Sequence, residues 1–128
     1  MKVLVDSSIW ISYFRSGERE EVLDFLIEEN VIVTNELILA ELVPFLKLQN
    51  KKRLIELLYS IEQLPLSIDW KNIITLQTRA LKSGINGVGI PDLIIAQNAI
   101  EKDAYVFSED KHFKLLSEIS RLQTYPKS

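Results

Sequence analysis

Val3-Leu4-Val5-Asp6-Ser7-Ser8 is the stretch of this sequence that decides the fold. Three β-prone apolar residues without polar alternation indicate a strand that is buried on both faces, as in a parallel sheet. Asp6 follows where that strand ends, and open α/β sheets bind ligands just outside the carboxyl ends of their strands. Ser7 and Ser8 are suitable N-cap residues for a helix over Ile9–Phe14. Asp6 is therefore either an acid held at a ligand-binding edge or an ordinary helix cap.

The composition is that of one ordinary globular domain. The chain has 128 residues, of which 47% are hydrophobic and 26% charged, and we expect a single domain over residues 1–128. The absence of cysteine excludes disulfides and thiolate metal sites and fits a reducing cytoplasm. Met1 to Val5 meets Asp6 too soon for a signal peptide or membrane span, so we expect a cytoplasmic protein with no membrane association.

The net charge of −3 is not typical of a protein that holds nucleic acid by bulk electrostatics. It leaves open a site where metal ions provide the positive charge. The single histidine, His112, excludes multi-histidine metal sites. We expect that histidine to be structural or solvated rather than catalytic.

Strand and helix patterns alternate along the chain, which predicts a parallel sheet with helices on both faces. Pro44 is expected to bend or divide its helix, and Pro65 to place its strand at an edge of the sheet. The predicted strands are Val3–Val5, Val31–Val33, Leu64–Leu66, Ala104–Phe107 and Leu122–Tyr125. The predicted helices are Ile9–Phe14, Glu18–Glu29, Glu36–Phe45, Lys51–Ile61, Asp69–Lys82, Asp92–Glu101 and Lys111–Ser117.

Two acids stand at strand ends. Asp110 follows the strand Ala104–Phe107 and Ser108, just as Asp6 follows the first strand. Taken alone, each of these acids also fits a structural role as a loop residue or helix cap.

Two further acids lie on helices. Glu41 shares a helical face with apolar residues at the i−4, i−3, i+1 and i+4 positions, which indicates a carboxylate inside an apolar stripe. Its alternatives are a place at the edge of the stripe or a structural ion pair. Asp92 opens the most apolar helix of the chain, where the helix dipole alone would favour an acid.

A doubly wound sheet could bring these four places to one crevice. Four carboxylates there would repel one another and so raise one another's pKa values. A divalent cation bound among them would remove this repulsion. Oxygen ligands without histidine or cysteine favour Mg²⁺ or Mn²⁺ over Zn²⁺.

The segments that contain the four acids resemble the acidic motifs of the PIN domain. The resemblance is strongest to its small VapC toxins of prokaryotic toxin–antitoxin pairs and covers essentially the whole chain. It implies a PIN-like three-layer α/β fold with a five-stranded parallel sheet flanked by helices, with residues 1–128 as one PIN domain. The segments are Leu4–Trp10, Ala40–Leu42, Ile90–Ala96 and Phe107–Phe113.

The resemblance also implies a Mg²⁺- or Mn²⁺-dependent endoribonuclease. Such a protein is usually a homodimer, acts on RNA and is held inactive by a VapB-type antitoxin. Metal-assisted hydrolysis of the phosphodiester bond is expected, with Asp110 or Glu41 positioning or deprotonating the attacking water. The implied catalytic acids are Asp6, Glu41, Asp92 and Asp110, the metal ligands Asp6, Asp92 and Asp110, and the supporting residues Ser7, Ser8 and Ser108.

Two secondary features carry hypotheses. A basic cluster after the Glu41 helix contacts RNA phosphates or is simply a solvated helix terminus; its members are Lys47, Lys51, Lys52 and Arg53. Trp10, Tyr13 and Phe14 lie at i, i+3 and i+4. They are expected to pack in the core, and part of them to form a groove for an antitoxin segment.

Three other functions stay open. One is a PIN ribonuclease that processes RNA without an antitoxin, and another is a non-catalytic PIN-like binding module. The third is a phosphoacceptor α/β domain, such as a receiver or a haloacid-dehalogenase-like phosphatase. The phosphatase pattern requires a second acid where Ser8 stands, and receivers require an acidic pair near the first strand.

Overall fold

The computed structural model describes residues 1–17 and 20–126. Strands and helices alternate through these residues as the sequence predicts. The strands are β1 Val3–Val5, β2 Ile32–Thr34, β3 Glu62–Gln63, β4 Tyr105–Phe107 and β5 Gln123–Thr124. The helices are α1 Ser7–Ser16, α2 Glu20–Glu28, α3 Glu36–Leu48, α4 Lys52–Ser60, α5 Trp70–Lys82, α6 Ile90–Glu101 and α7 Lys111–Ser117.

The strands form one parallel sheet in the order β3-β2-β1-β4-β5. Leu4 of the central strand pairs with Val33 on one side and Val106 on the other. The chain builds outward from β1 to β3 and then returns to the other side of β1, so the strand order reverses between β1 and β4. That reversal is the place where open α/β sheets bind ligands. The predicted α/β fold with a five-stranded parallel sheet flanked by helices is confirmed.

The core explains why these segments form. Val3, Leu4 and Val5 are completely buried, which is what a central parallel strand requires. Every residue from 93 to 99 in α6 is buried, as expected of a helix that is apolar almost all round. The rigid core therefore fixes both the end of β1 and the start of α6.

Buried polar side chains tie the sheet to α6. Asn35 caps α3 by accepting a 2.9 Å hydrogen bond from the backbone N–H of Ile38, and its amide donates to Asn98 Oδ1 at 2.9 Å. Asn98 in turn donates to the carbonyl of Pro65. The sequence indicates the Asn35 cap, but it does not indicate the burial of Asn98.

Three local predictions were wrong in whole or in part. Ser7 and Ser8 lie in the first turn of α1, and Asp6 occupies the N-cap position instead. Pro44 does not divide its helix, since α3 continues to Leu48, because buried side chains on both sides of the proline keep that helix packed on the core. A bend at Pro44 stays a prediction. The edge strand is Glu62–Gln63 rather than Leu64–Leu66.

The remaining boundaries shift by a few residues. The predicted helix from Glu18 begins outside the described residues, and α2 is described from Glu20. Asp69 caps α5 as expected, by accepting from the backbone N–H groups of Lys71 and Asn72. Among the described helices, none has the combined length and apolarity needed to cross a membrane.

Candidate active site

Asp6 lies at the carboxyl end of β1 and is only 6% exposed. Although it occupies the N-cap position of α1, its side chain makes no capping hydrogen bond. Its Oδ2 instead accepts hydrogen bonds from Ser8 Oγ at 2.9 Å and Ser108 Oγ at 2.7 Å. The arrangement holds a nearly buried carboxylate in one orientation, which a simple cap would not require.

The two serines link the ends of β1 and β4. Their hydroxyl oxygens lie 3.2 Å apart. Ser8 Oγ accepts from the backbone N–H of Glu109, and Ser108 Oγ accepts from that of Asp110. This network places the segment that carries Asp110 beside Asp6, as the topology predicts for neighbouring strand ends.

Asp110 is both a cap and a member of the acidic group. Its Oδ1 accepts a 2.9 Å hydrogen bond from the backbone N–H of His112 at the start of α7. Asp110 therefore does act as a helix cap, which is the structural role that the sequence also allowed for it. Its side chain is still 35% exposed.

His112 joins this group, which sequence reasoning missed. Its Nδ1 lies 3.1 Å from Asp110 Oδ1 and 3.8 Å from Asp92 Oδ2. The three side chains offer ligand atoms that all lie within 4.8 Å of one another. The predicted acids therefore have a histidine beside them, while the expectation that His112 is structural or solvated rather than catalytic stays a prediction. The sequence signal that could have pointed to His112 is its position two residues after Asp110, just after a strand. That spacing becomes informative only once the first turn of α7 directs both side chains to Asp92.

Glu41 lies at the exposed rim of the site rather than inside the apolar stripe of α3. The structure thus shows the alternative in which Glu41 lies at the edge of the apolar stripe. Ser7 Oγ donates a 3.3 Å hydrogen bond to Glu41 Oε1, which brings the start of α1 and the middle of α3 together.

The pKa shifts show that the acids act on one another. Burial first, then the charges of Asp110 and Asp6, raise the pKa of Asp92 to about 6, and His112 opposes this shift. Partial burial and the charges of Asp6 and Asp92 also raise the pKa of Glu41, against the hydrogen bond from Ser7. The charges of the four predicted acids thus act on one another at the carboxyl edge of the sheet, while Asp92 and Asp110 are the two acids whose ligand atoms lie within 4.8 Å of each other and of His112.

This arrangement fits a divalent cation. Burial and mutual repulsion disfavour the charged forms of Asp92 and Glu41, and a bound cation would reverse both effects. The oxygens of Asp6, Asp92 and Asp110 are hard ligands of the kind that Mg²⁺ and Mn²⁺ prefer.

The basic cluster stands apart from the acids. Lys47, Lys51, Lys52 and Arg53 are all exposed around the junction of α3 and α4. At a rise of about 1.5 Å per residue, Lys47 lies about 9 Å along the helix axis from Glu41. Contact with RNA stays a prediction.

The aromatic residues of α1 divide between core and surface. Trp10 is completely buried and stacks on Phe14, with ring centroids 5.7 Å apart. Phe14 and Tyr13 are partly exposed. The core role expected for Trp10 is confirmed, and only the other two rings can contribute surface to a groove.

Solved structures share this fold. VapBC2 from Rickettsia felis, bound to a DNA fragment from its promoter, matches with a TM-score of 0.76 and 23% identity, over 97% of each chain. VapBC-1 from nontypeable Haemophilus influenzae has a TM-score of 0.74 and 19% identity, over 97% of this chain and 96% of the other. FitAcB from Neisseria gonorrhoeae has a TM-score of 0.72 and 19% identity, over 97% of each chain.

A comparison with curated proteins finds no match. The sequence does match the family model described as the PIN domain, over residues 3–119. That span contains all four acids, both strand ends and the serine network that joins them. The chain belongs to the PIN domain family.

Proposed function

We propose that this protein is a divalent-metal-dependent endoribonuclease that hydrolyses RNA phosphodiester bonds as the toxin of a VapBC-type toxin–antitoxin pair. One observation carries the proposal. Four separate elements bring an acid to the edge of the sheet where the strand order reverses, and these acids are Asp6, Glu41, Asp92 and Asp110. Mutual repulsion makes such a group costly without a cation. The membership of this chain in the PIN domain family supports the same activity.

Asp6, Asp92 and Asp110 would hold the Mg²⁺ or Mn²⁺ ion. When bound, such an ion supplies a Lewis acid that lowers the pKa of a coordinated water and offsets the negative charge of the phosphate. Ser8 and Ser108 keep the carboxylate of Asp6 oriented toward this task through their hydrogen bonds to Oδ2. Ser7 orients Glu41.

Glu41 is the better of the two predicted general bases. A raised pKa brings a carboxylate closer to the operating pH, where proton transfer is most effective. Glu41 is exposed at the rim, and among the described residues it accepts only the long hydrogen bond from Ser7. Asp110 is already engaged by the backbone of α7 and faces His112. Glu41 would accept the proton of the attacking water, and no protein nucleophile is needed.

The partner assignment rests on the likeness to VapBC structures. We propose a VapB-type antitoxin as the inhibitor, with a homodimeric toxin in the cytoplasm and residues 1–128 as one domain. RNA processing without an antitoxin is the second candidate. An antitoxin gene beside this one would separate the two, whereas membership of the PIN domain family leaves the phosphoacceptor alternative without support.

The test is cleavage of a defined RNA set that includes transfer RNA, by partner-free protein with Mg²⁺, with Mn²⁺ and with EDTA. Asp92→Asn is the inactivating variant. Asp103→Asn is its matched control, because Asp103 is exposed and has φ of 53°, a conformation that asparagine tolerates. We expect metal-dependent cleavage that Asp92→Asn loses and Asp103→Asn keeps. Cleavage that persists in EDTA, or an absence of both cleavage and metal binding, would refute the proposal.

A further inference from the structure

We propose that His112 is a nitrogen ligand of the divalent-ion site, and that this site therefore binds Mn²⁺ in preference to Mg²⁺. The inference rests on the proposed function, since it concerns the same ion. It adds a ligand of a different chemical class to the three carboxylates.

Nδ1 of His112 lies close to both carboxylates. It lies 3.1 Å from Asp110 Oδ1 and 3.8 Å from Asp92 Oδ2. Adjacent ligands in an octahedron with bonds of about 2.1 Å are about 3 Å apart, and opposite ligands about 4.2 Å apart. Both distances fall in this range, and the three side chains offer ligand atoms that all lie within 4.8 Å of one another, which fits one ion shared by all three.

Nδ1 is also unsatisfied as a hydrogen-bonding atom. It is buried and makes no hydrogen bond to any residue that the structure describes. The 3.1 Å contact with Asp110 Oδ1 is at ion-pair distance for a protonated ring, but it is not a hydrogen bond. A lone pair on Nδ1 would face two carboxylate oxygens, which are acceptors themselves. A cation among the three atoms satisfies all of them.

The loop between α5 and α6, which contains Gly84, Gly87 and Gly89, lies beside the ring of His112. A Cβ at Gly87 would lie 3.8 Å from His112 Nε2 and 3.9 Å from Cε1, so this loop approaches the edge of the ring that these two atoms form. Gly87 has φ of 80°, which favours glycine at that point of the loop. The loop therefore backs the edge that carries Nε2 while Nδ1 faces the carboxylates.

The metal preference follows from ligand chemistry. Mg²⁺ takes oxygen ligands almost exclusively, whereas imidazole suits first-row transition ions. Mn²⁺ accepts both oxygen and nitrogen. A site with three carboxylates and one imidazole should thus favour Mn²⁺ more strongly than the carboxylates alone would.

The decisive experiment is pulsed EPR of Mn²⁺ bound to the untagged protein, because it detects nitrogen directly coordinated to the ion without any reference to activity. His112 is the only histidine in the chain, so labelling with ¹⁵N-histidine assigns the signal to that residue. We expect ¹⁴N modulation in the unlabelled protein and its replacement by the ¹⁵N pattern on labelling. This measurement needs no variant and so does not depend on one that folds.

Calorimetric titration with Mn²⁺ and Mg²⁺ gives the second readout. His112→Asn replaces the imidazole by an amide, and we expect its Mn²⁺ affinity to fall by about tenfold or more while its Mg²⁺ affinity changes little. Lys111→Gln, an exposed neighbour on α7, is the control. The loss of a positive charge at Lys111 should shift the Mn²⁺ and Mg²⁺ affinities alike and leave their ratio constant.

The outcomes separate the two proposals. Bound Mn²⁺ and active RNA cleavage without nitrogen modulation would overturn the role of His112 and leave the proposed function standing. An absence of Mn²⁺ binding would overturn the inference, and an absence of both Mn²⁺ and Mg²⁺ binding together with an absence of cleavage would overturn the proposed function as well. An unchanged ratio of Mn²⁺ to Mg²⁺ affinity in a folded His112→Asn protein would also overturn the inference.

Discussion

Asp6 Oδ2 accepts a 2.7 Å hydrogen bond from Ser108 Oγ, although the two residues are 102 positions apart in the sequence. The bond crosses from the end of β1 to the end of β4, where the strand order reverses. Ser108 Oγ also accepts from the backbone N–H of Asp110. One hydroxyl therefore fixes two of the four acids relative to each other.

Ser108→Ala should loosen this junction. We expect a loss of about 1 kcal/mol in the free energy of unfolding and about a tenfold weaker Mn²⁺ affinity, since residues that orient metal ligands typically have effects of that size. Calorimetric titration and urea denaturation measure the two changes. Ser108→Thr keeps the hydroxyl and is the matched control. An alanine variant that binds Mn²⁺ as tightly as the wild type would show that Ser108 does not position Asp6.

Asp92→Asn should abolish cleavage without lowering the stability of the metal-free protein. The substitution removes a charge that burial, Asp110 and Asp6 all disfavour, so repulsion in the site decreases. We expect cleavage to fall by at least about a hundredfold and the melting temperature in EDTA to stay the same or rise. A clear fall in melting temperature, absent from Asp103→Asn, would mean that Asp92 serves mainly as a structural first-turn acid of α6.

The strands that decide the site were readable from the sequence, because β1 and β4 are apolar runs that end in a polar residue. The edge strand was not, since Glu62 and Gln63 are exposed and carry no apolar signal. Leu64 does extend the pairing by donating to the carbonyl of Thr34, but Pro65 has no N–H to continue it. The prediction was thus displaced toward the apolar residues beside the true strand.

The acids of the site and the serines that contact them could be predicted, whereas the place of His112 beside them could not. Asp6 and Asp92 stand out because each is an acid beside an apolar run. His112 gives no such signal, since its role depends on the direction of its ring from the first turn of α7. Glu41 was placed inside an apolar stripe because helical periodicity fixes a face only to within the width of a side chain, and the tertiary packing placed it at the rim.

The contribution of Asp92 to the stability of the metal-free protein should decrease as the pH rises. The pKa of Asp92 is raised from 3.8 to about 6, so the folded state binds this proton more readily than the unfolded state between those values. The contribution of Asp92 to the free energy of unfolding is therefore fully present below this pH range, and it is lost as the pH rises through about 6. Glu41 acts in the same direction.

Thermal melting of the metal-stripped protein between pH 4 and pH 7.5 measures this effect. The difference between the wild type and Asp92→Asn isolates the contribution of Asp92 from those of other groups. We expect Asp92→Asn to gain stability relative to the wild type as the pH rises, and Mn²⁺ to stabilise the wild type most at pH 7.5. A difference that stays constant with pH would contradict the raised pKa.

Trp10→Ala should destabilise the fold rather than report on an antitoxin groove. The ring is completely buried, and its removal should cost about 3–5 kcal/mol of unfolding free energy. Trp10 Nε1 finds no acceptor among the described residues, so Trp10→Phe should cost less, about 1–2 kcal/mol. Urea denaturation compares the two variants. A cost below about 1 kcal/mol for the alanine variant would show that the ring is not core.

The basic cluster gives the last prediction. If Lys51 and Lys52 both contact RNA phosphates, the double variant Lys51→Gln/Lys52→Gln should bind single-stranded RNA more weakly. Its salt slope should then be smaller by about 1.4, because each contact contributes about 0.7. The measurement is RNA affinity at several salt concentrations, in the Asp92→Asn background so that the RNA stays intact. Lys102→Gln is the control, since Lys102 is exposed at the end of α6 opposite Asp92. If both variants keep the wild-type slope, the cluster is a solvated helix terminus, and the ion at the acidic site would have to provide most of the positive charge that RNA meets.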